Sequence, residues 1–350
     1  MSQQSLTAFL GAEHTQFAIP LFQRPYSWTR LPCEEFWHDI MRAAATDQPH
    51  FMGTLLYLRA SQQTPGCQRL AIIDGQQRLT TASLIIAALA AHLRTSSDED
   101  SSAIATNLTR RFLEDDAGNP KLVPTLNDRK AYQALILGSA LPEDSAPRFQ
   151  ENSALFRAKM DEDGFDTAQL IAGLKHAYLL AVEIEDRSQA QSVFESLNSK
   201  GMPLTTADLV RNCLLITKSR DEQTRLYHEY WVPIQQMFGA DPGSVRLDNA
   251  ILGWLSVRFP KVRAQSSKAA YGIFKRYLEE SYRGTTEDLL DELRGFCLVW
   301  AENYRYHAVK KFRSANWAKN GPKTLVSDRP LRKPDTDACD TSFRNVDARW

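Results

Sequence analysis

The feature that most limits what this chain can become is the passage from Leu70 to Leu93. Four apolar residues, Leu70 to Ile73, run straight into Asp74-Gly75, and from Gln77 to Leu93 apolar residues recur at helical spacing. A strand that delivers into a helix through so short a turn places Asp74, Gly75, Gln76, Gln77 and Arg78 where backbone amides stand free of helical partners. Gly75 lets the backbone approach a ligand, and the first amides of the helix carry a partial positive charge that suits phosphate. Arg78 adds a planar fork of donors. Two roles stay open for each charged residue here. Asp74 fits a hydrated metal ion or an oriented water, and equally a helix cap; Arg78 fits a phosphate, and equally a surface acid. Gln76 and Gln77 can bond base, ribose or water.

Periodicity organises the rest of the chain. Strands are expected over Phe17 to Phe22 and Phe51 to Leu58, with a helix from Glu34 to Ala45 between them. Short helices follow from Ala103 to Met160, broken at Asn119-Pro120, Gly138 and Pro142, and then a helix and strand over Leu170 to Ile184. A helix from Gln189 to Leu197 ends at Asn198-Ser-Lys-Gly201, and Thr206 is positioned to cap another through Leu215. Beyond Thr217 the segments are helical: Glu222 to Phe238, Leu247 to Phe259, Ser267 to Tyr282 and Glu287 to Lys311. The expected class is therefore α+β, a small mixed sheet with helices in residues 1–217 followed by an all-helical domain in 218–312. From Arg313 to Trp350 apolar periodicity is lost and Pro322, Pro330 and Pro334 stand among polar residues, which predicts a disordered tail.

Composition narrows the function. A length of 350 residues with 43% hydrophobic content suits two packed units. Lys plus Arg and Asp plus Glu both total 42, so nucleic acid can be met only by a local patch. The five cysteines, Cys33, Cys67, Cys213, Cys297 and Cys339, are odd in number and far apart, which argues for reduced thiols over zinc sites or a disulfide framework. Met1 to Glu13 has no secretory pattern, and the apolar stretch Leu84 to Leu93 is too short to cross a bilayer. A cytoplasmic location and no membrane partner are expected. The chain contains no G-x-x-x-x-G-K-[ST], which excludes a P-loop as the source of nucleotide binding.

Three further groups of residues carry possible chemistry. Gln23 and Arg24, costly to bury, sit beside Pro25 in a rigid turn and are assigned to the site, whereas Tyr26 and Trp28 are expected to cover the core. Asn198 to Gly201 forms a tight turn containing Lys200, and Asp208, Arg211 and Asn212 fall on one helical face as a structural ion pair and cap or as a functional cluster. Between Asn249 and Leu278 there is no acidic residue, while Arg258, Lys261, Arg263, Lys268, Lys275 and Arg276 all occur. That stretch fits a DNA-phosphate surface or a solvated face paired elsewhere.

The segments IPLFQRPYSW, FMGTLLY, IIDGQQRLTT and FESLNSKGMPLTTADLVRN stand here in the order found in the N-terminal domain of the GmrSD family of type IV, modification-dependent restriction proteins, which the chain resembles as far as Asn212. The resemblance implies a fold related to ParB and sulfiredoxin, and nucleoside triphosphate binding and hydrolysis with Mg2+. It implies catalytic roles for Asp74, Gln76, Gln77 and Arg78, with Asp74 as metal ligand. Nucleotide binding is expected at Gln23, Arg24, Gly75, Arg78, Asn198 and Lys200. In the family, hydrolysis regulates an HNH-type nuclease half that cuts modified DNA and needs a His-x-x-Pro element. None of His14, His38, His50, His92, His176, His228 or His307 has proline three positions on. The expectation is a stand-alone subunit or truncated copy that works with a separate nuclease in anti-phage defence. A module that binds nucleotide or DNA with little turnover is the alternative.

Overall fold

The computed structural model describes residues 2–59, 67–126, 128–139, 142, 147–185, 189–193, 204–239, 245–260, 264 and 266–319, with backbone alone for 245 and 304–319. Residues Met1–Ala301 make one compact unit and Glu302–Trp350 a second. The fold is α+β: a mixed six-stranded sheet with helices and a helical C-terminal part.

The strands are β1 (Ser2–Ser5), β2 (Thr15–Ala18), β3 (His50–Arg59), β4 (Gln68–Asp74), β5 (Leu122–Val123) and β6 (Ala177–Ile184), in spatial order β1-β6-β3-β4-β2-β5. Pairing is antiparallel for β1 with β6 and for β3 with β4, and parallel for β3 with β6 and for β2 with β4 and β5. Side chains alternate across the sheet, and both faces are apolar because both are covered. Leu55, Leu70 and Ile72 face one hydrophobic cluster, while Leu56, Leu58 and Ile73 face the other.

The first cluster is closed by α1 (Leu6–Leu10), α2 (Arg30–Thr46), α3 (Gln76–Leu93), α6 (Pro147–Met160) and α7 (Thr167–His176), with α4 (Glu99–Leu108) and α5 (Arg129–Ile136) at its side. Helix α3 is buried on nearly every side, which explains its almost unbroken apolar sequence. The second cluster joins the sheet to the helices Thr206–Leu215, Arg220–Leu226, Val232–Gln236, Val245–Arg258, Ser267–Arg276 and the start of Thr286–Lys319. The segments beyond Lys218 thus share a core with the sheet's second face.

Several expectations shift in detail. The strand expected over Phe17 to Phe22 is β2, which ends at Ala18, before Pro20, and Phe22 turns into the second cluster. Thr205, not Thr206, is the cap: its hydroxyl accepts from the Asp208 amide while the Asp208 carboxylate accepts from the Thr205 amide, a capping box. The expected Glu222–Phe238 and Ser267–Tyr282 helices contain π-helical turns at Tyr227–Trp231 and Tyr277–Ser281. The last helix runs to Lys319, past the expected start of disorder at Arg313; the remainder of that tail lies outside the described residues.

Candidate functional site

The turn between β4 and α3 is built from inside. Gly75 is the N-cap of α3, with φ +90°, a conformation that favours glycine, and no side chain caps this end. The capping role left open for Asp74 is therefore not taken: its carboxylate lies 3.4 Å from the Arg78 guanidinium. Gln76 and Gln77 are buried, and Arg78 keeps only 19% of its side chain exposed. Arg78 is laid against the sheet, where Nη1 donates to the Met52 carbonyl at 3.1 Å. Gly53 makes room for it. A Cβ at Gly53 would lie 2.0 Å from Arg78 Nη1, and Gly53 itself has φ +113° at an irregularity in the β3–β6 register.

Three glutamines fasten the Gln23–Trp28 loop to this turn. Gln23 donates to the Ile73 carbonyl at 3.1 Å, Gln76 to the Arg24 carbonyl at 3.3 Å, and Gln77 to the Pro25 carbonyl at 3.2 Å. The Gln77 Oε1 accepts from the Ser27 amide at 2.9 Å and the Trp28 amide at 3.3 Å, so this side chain is fully committed to the loop. Gln77, predicted to be catalytic, thus has both ends of its amide bonded to the loop backbone. Beneath the loop, Tyr26 is buried and its hydroxyl meets Thr81 at 2.8 Å and the Asn152 amide at 3.1 Å. Its backbone amide donates to Asp128 at 2.7 Å. Trp28 packs edge-on to Phe36, and its carbonyl accepts from Asn152.

What remains unused is informative. The Gln76 Oε1 is buried without a hydrogen-bond partner, against the general rule for buried polar atoms. The half-buried Arg24 guanidinium has no hydrogen bond or ion pair among the described residues; burial pushes its pKa down, and the charges of Asp208 and Asp74 offset this in part. Asp208 is itself taken: it is buried, bonded to Arg211 at 2.6 Å and to its own helix cap. Arg211 also donates to the Phe22 carbonyl at 2.6 Å and lies over the Trp231 ring. Three guanidiniums, those of Arg24, Arg78 and Arg211, stand against the carboxylates of Asp74 and Asp208, leaving a surplus positive charge where the free α3 amides begin.

The other predicted residues divide. Asn198 and Lys200 lie outside the described residues, as do Lys261 and Arg263. Arg258 is committed to the fold, stacked on Trp254 and Tyr277 and paired with Glu292, and Lys275 pairs with Glu279 at 4.0 Å. Lys268 and Arg276 are exposed on the Ser267–Arg276 helix. Sequence reading missed Asp128, Asn152 and Gly53. Gly53 alone had a signal, a glycine inside a strand pattern. No helix among the described residues is long and apolar enough to cross a membrane.

A comparison with curated proteins returned no match. The family model of the GmrSD restriction endonuclease N-terminal domain matches residues 6–215, a span holding β2 through β6, the turn at Gly75 and the capped helix of Asp208 and Arg211. The chain belongs to the GmrSD restriction endonuclease family through this N-terminal domain, and is a component of a restriction system.

Proposed function

We propose that the β4–α3 turn binds and hydrolyses a nucleoside triphosphate, and that this turnover governs a separate DNA nuclease. The observation that carries the reading is the pairing of an uncommitted Arg24 guanidinium with the buried, unpartnered Oε1 of Gln76 at a turn already rich in positive charge. Arg24 would take phosphate oxygens as a bidentate donor, and the amides of the first α3 turn would take others. Arg78 holds the floor and Asp74, and Gln76 offers an acceptor to ribose, base or the attacking water.

Mg2+ fits this donor set. Among the described residues no three carboxylate, imidazole or thiol groups converge, and Asp74 is a partly exposed carboxylate at the turn. An ion held by one carboxylate, water and the phosphates of its nucleotide matches the habits of Mg2+. When bound it would neutralise phosphate charge. DNA cleavage is assigned to a partner nuclease, and the basic stretch, in which Lys268 and Arg276 are exposed, is assigned to contact with DNA.

The test is equilibrium binding of each nucleoside triphosphate with Mg2+ to the wild-type chain and to Arg24→Met, which keeps the apolar stem. A loss of affinity of about 100-fold is expected, in line with removing a bidentate charged donor. Equal binding would remove Arg24 from the site and the reading with it.

A further inference from the structure

A cavity of about 270 Å³ opens on the second face of the sheet, beside the turn but facing away from it. Arg69, Ala71 and Ile73 alternate along β4 and so point to this face together. Its floor is apolar, with Ile19, Phe22, Leu58, Ala71, Ile73 and Ile216. Its charged lining is one-signed: Arg59, Arg69, Arg129 and Arg220, and no acidic residue.

Arg59 is spoken for by Glu183. The other three arginines are not. Arg69 is half-buried at the base, and Arg129 and Arg220 are exposed at the mouth. None of them forms an ion pair among the described residues, and the Arg129 Nε bond to the Pro124 carbonyl at 3.3 Å is the one side-chain hydrogen bond this trio makes there. Burial pushes the pKa of Arg69 down, and the like charges of Arg220 and Arg129 add to that. Arg129 is pushed down by burial and by Arg220 in the same way. Guanidiniums gathered without counter-charge at a concave, partly dry surface are destabilising in the empty protein and become favourable when an anion arrives. The forks of three arginines suit a phosphate's oxygens, and an apolar floor suits a ring or sugar carbon face. The volume, just below the usual range for small-ligand pockets, limits the occupant to one nucleotide unit.

We infer that this cavity is a second binding site, for the phosphate ester of a single nucleotide unit, free or carried in a nucleic-acid chain, with Arg69, Arg129 and Arg220 holding the phosphate. It is independent of the reading of the β4–α3 turn. None of the three arginines belongs to that turn.

The experiment uses the full chain and three probes: thymidine monophosphate, thymidine and a single-stranded oligothymidylate. Wild type is expected to bind the monophosphate and not the nucleoside. The double variant Arg69→Gln, Arg220→Gln is expected to bind it at least 10-fold more weakly, with an unliganded Tm no lower than wild type because like-charge repulsion is relieved. Arg220→Gln alone, at the exposed mouth, is expected to weaken binding about 3-fold, and serves if the double variant does not fold. Competition between oligothymidylate and the monophosphate assigns the site to nucleic acid, and its absence assigns it to free nucleotide. No binding of monophosphate by wild type, or undiminished binding by both variants, overturns the inference. Arg24→Met leaves this binding unchanged, so failure here and failure at the β4–α3 turn are told apart.

Discussion

The Gln77 side chain holds Ser27 as a neighbouring strand would: its Oε1 accepts the Ser27 amide at 2.9 Å while its Nε2 donates to the carbonyl of Pro25. A loop that would otherwise carry unpaired buried amides is thereby given its hydrogen bonds by the first turn of a distant helix. The consequence for function is positional. Whatever Arg24 does, it does because Gln77 and Gln76 fix the backbone on which it stands.

Gln77→Ala is therefore expected to destabilise the fold by about 2–4 kcal/mol, since it strands the Ser27 and Trp28 amides and the Pro25 carbonyl. Urea unfolding measures this. Gln77→Glu keeps the acceptor and should lose less; an alanine variant as stable as wild type would show that the clamp carries no weight.

Much of this architecture could be read from the residues, and the reasons differ by element. Leu70 to Ile73 leading into a helical pattern marked the turn because a strand and a helix have incompatible periods. β1 was invisible, since Ser2-Gln-Gln-Ser5 has no apolar residue and becomes a strand only by pairing with β6. Sequence placed Gln76, Gln77 and Arg78 correctly on the turn but could not tell that they point inward, because their partners Arg24, Pro25 and Met52 lie far off in the chain. The Arg69, Arg129 and Arg220 cluster joins a strand to two separate helices, and no local pattern encodes it.

Asp128 supplies a pH signature. Burial raises its pKa from the usual 3.8 to about 6, although it accepts from the Tyr26 amide and the Thr125 hydroxyl. Because the folded-state value is the higher one, its contribution is greatest below pH 4, falls as pH rises through about 6 and stays at its lower level above. The span corresponds to about 3 kcal/mol. Asp128→Asn should remove this slope, so that its stability relative to wild type rises between pH 4 and 7. Parallel pH profiles for the two proteins would contradict the assignment.

Gly53→Ala tests the seat of Arg78 without touching Arg78. The new Cβ would sit 2.0 Å from Nη1, on backbone with φ +113°, so the guanidinium must leave the Met52 carbonyl and Asp74. The expected outcome is a cost of about 1–3 kcal/mol from strain and lost hydrogen bonds, with nucleotide turnover reduced at least 10-fold. Unaltered turnover would mean that the Arg78–Asp74 arrangement is incidental.

Phosphate release from the purified chain with each of the four nucleoside triphosphates and Mg2+ tests the central claim most directly. The account predicts Mg2+-dependent release with at least one nucleotide, lowered about 100-fold in Arg24→Met while the variant remains folded. Release no faster than the protein-free blank with every nucleotide, with or without DNA, would contradict it, as would full activity in Arg24→Met.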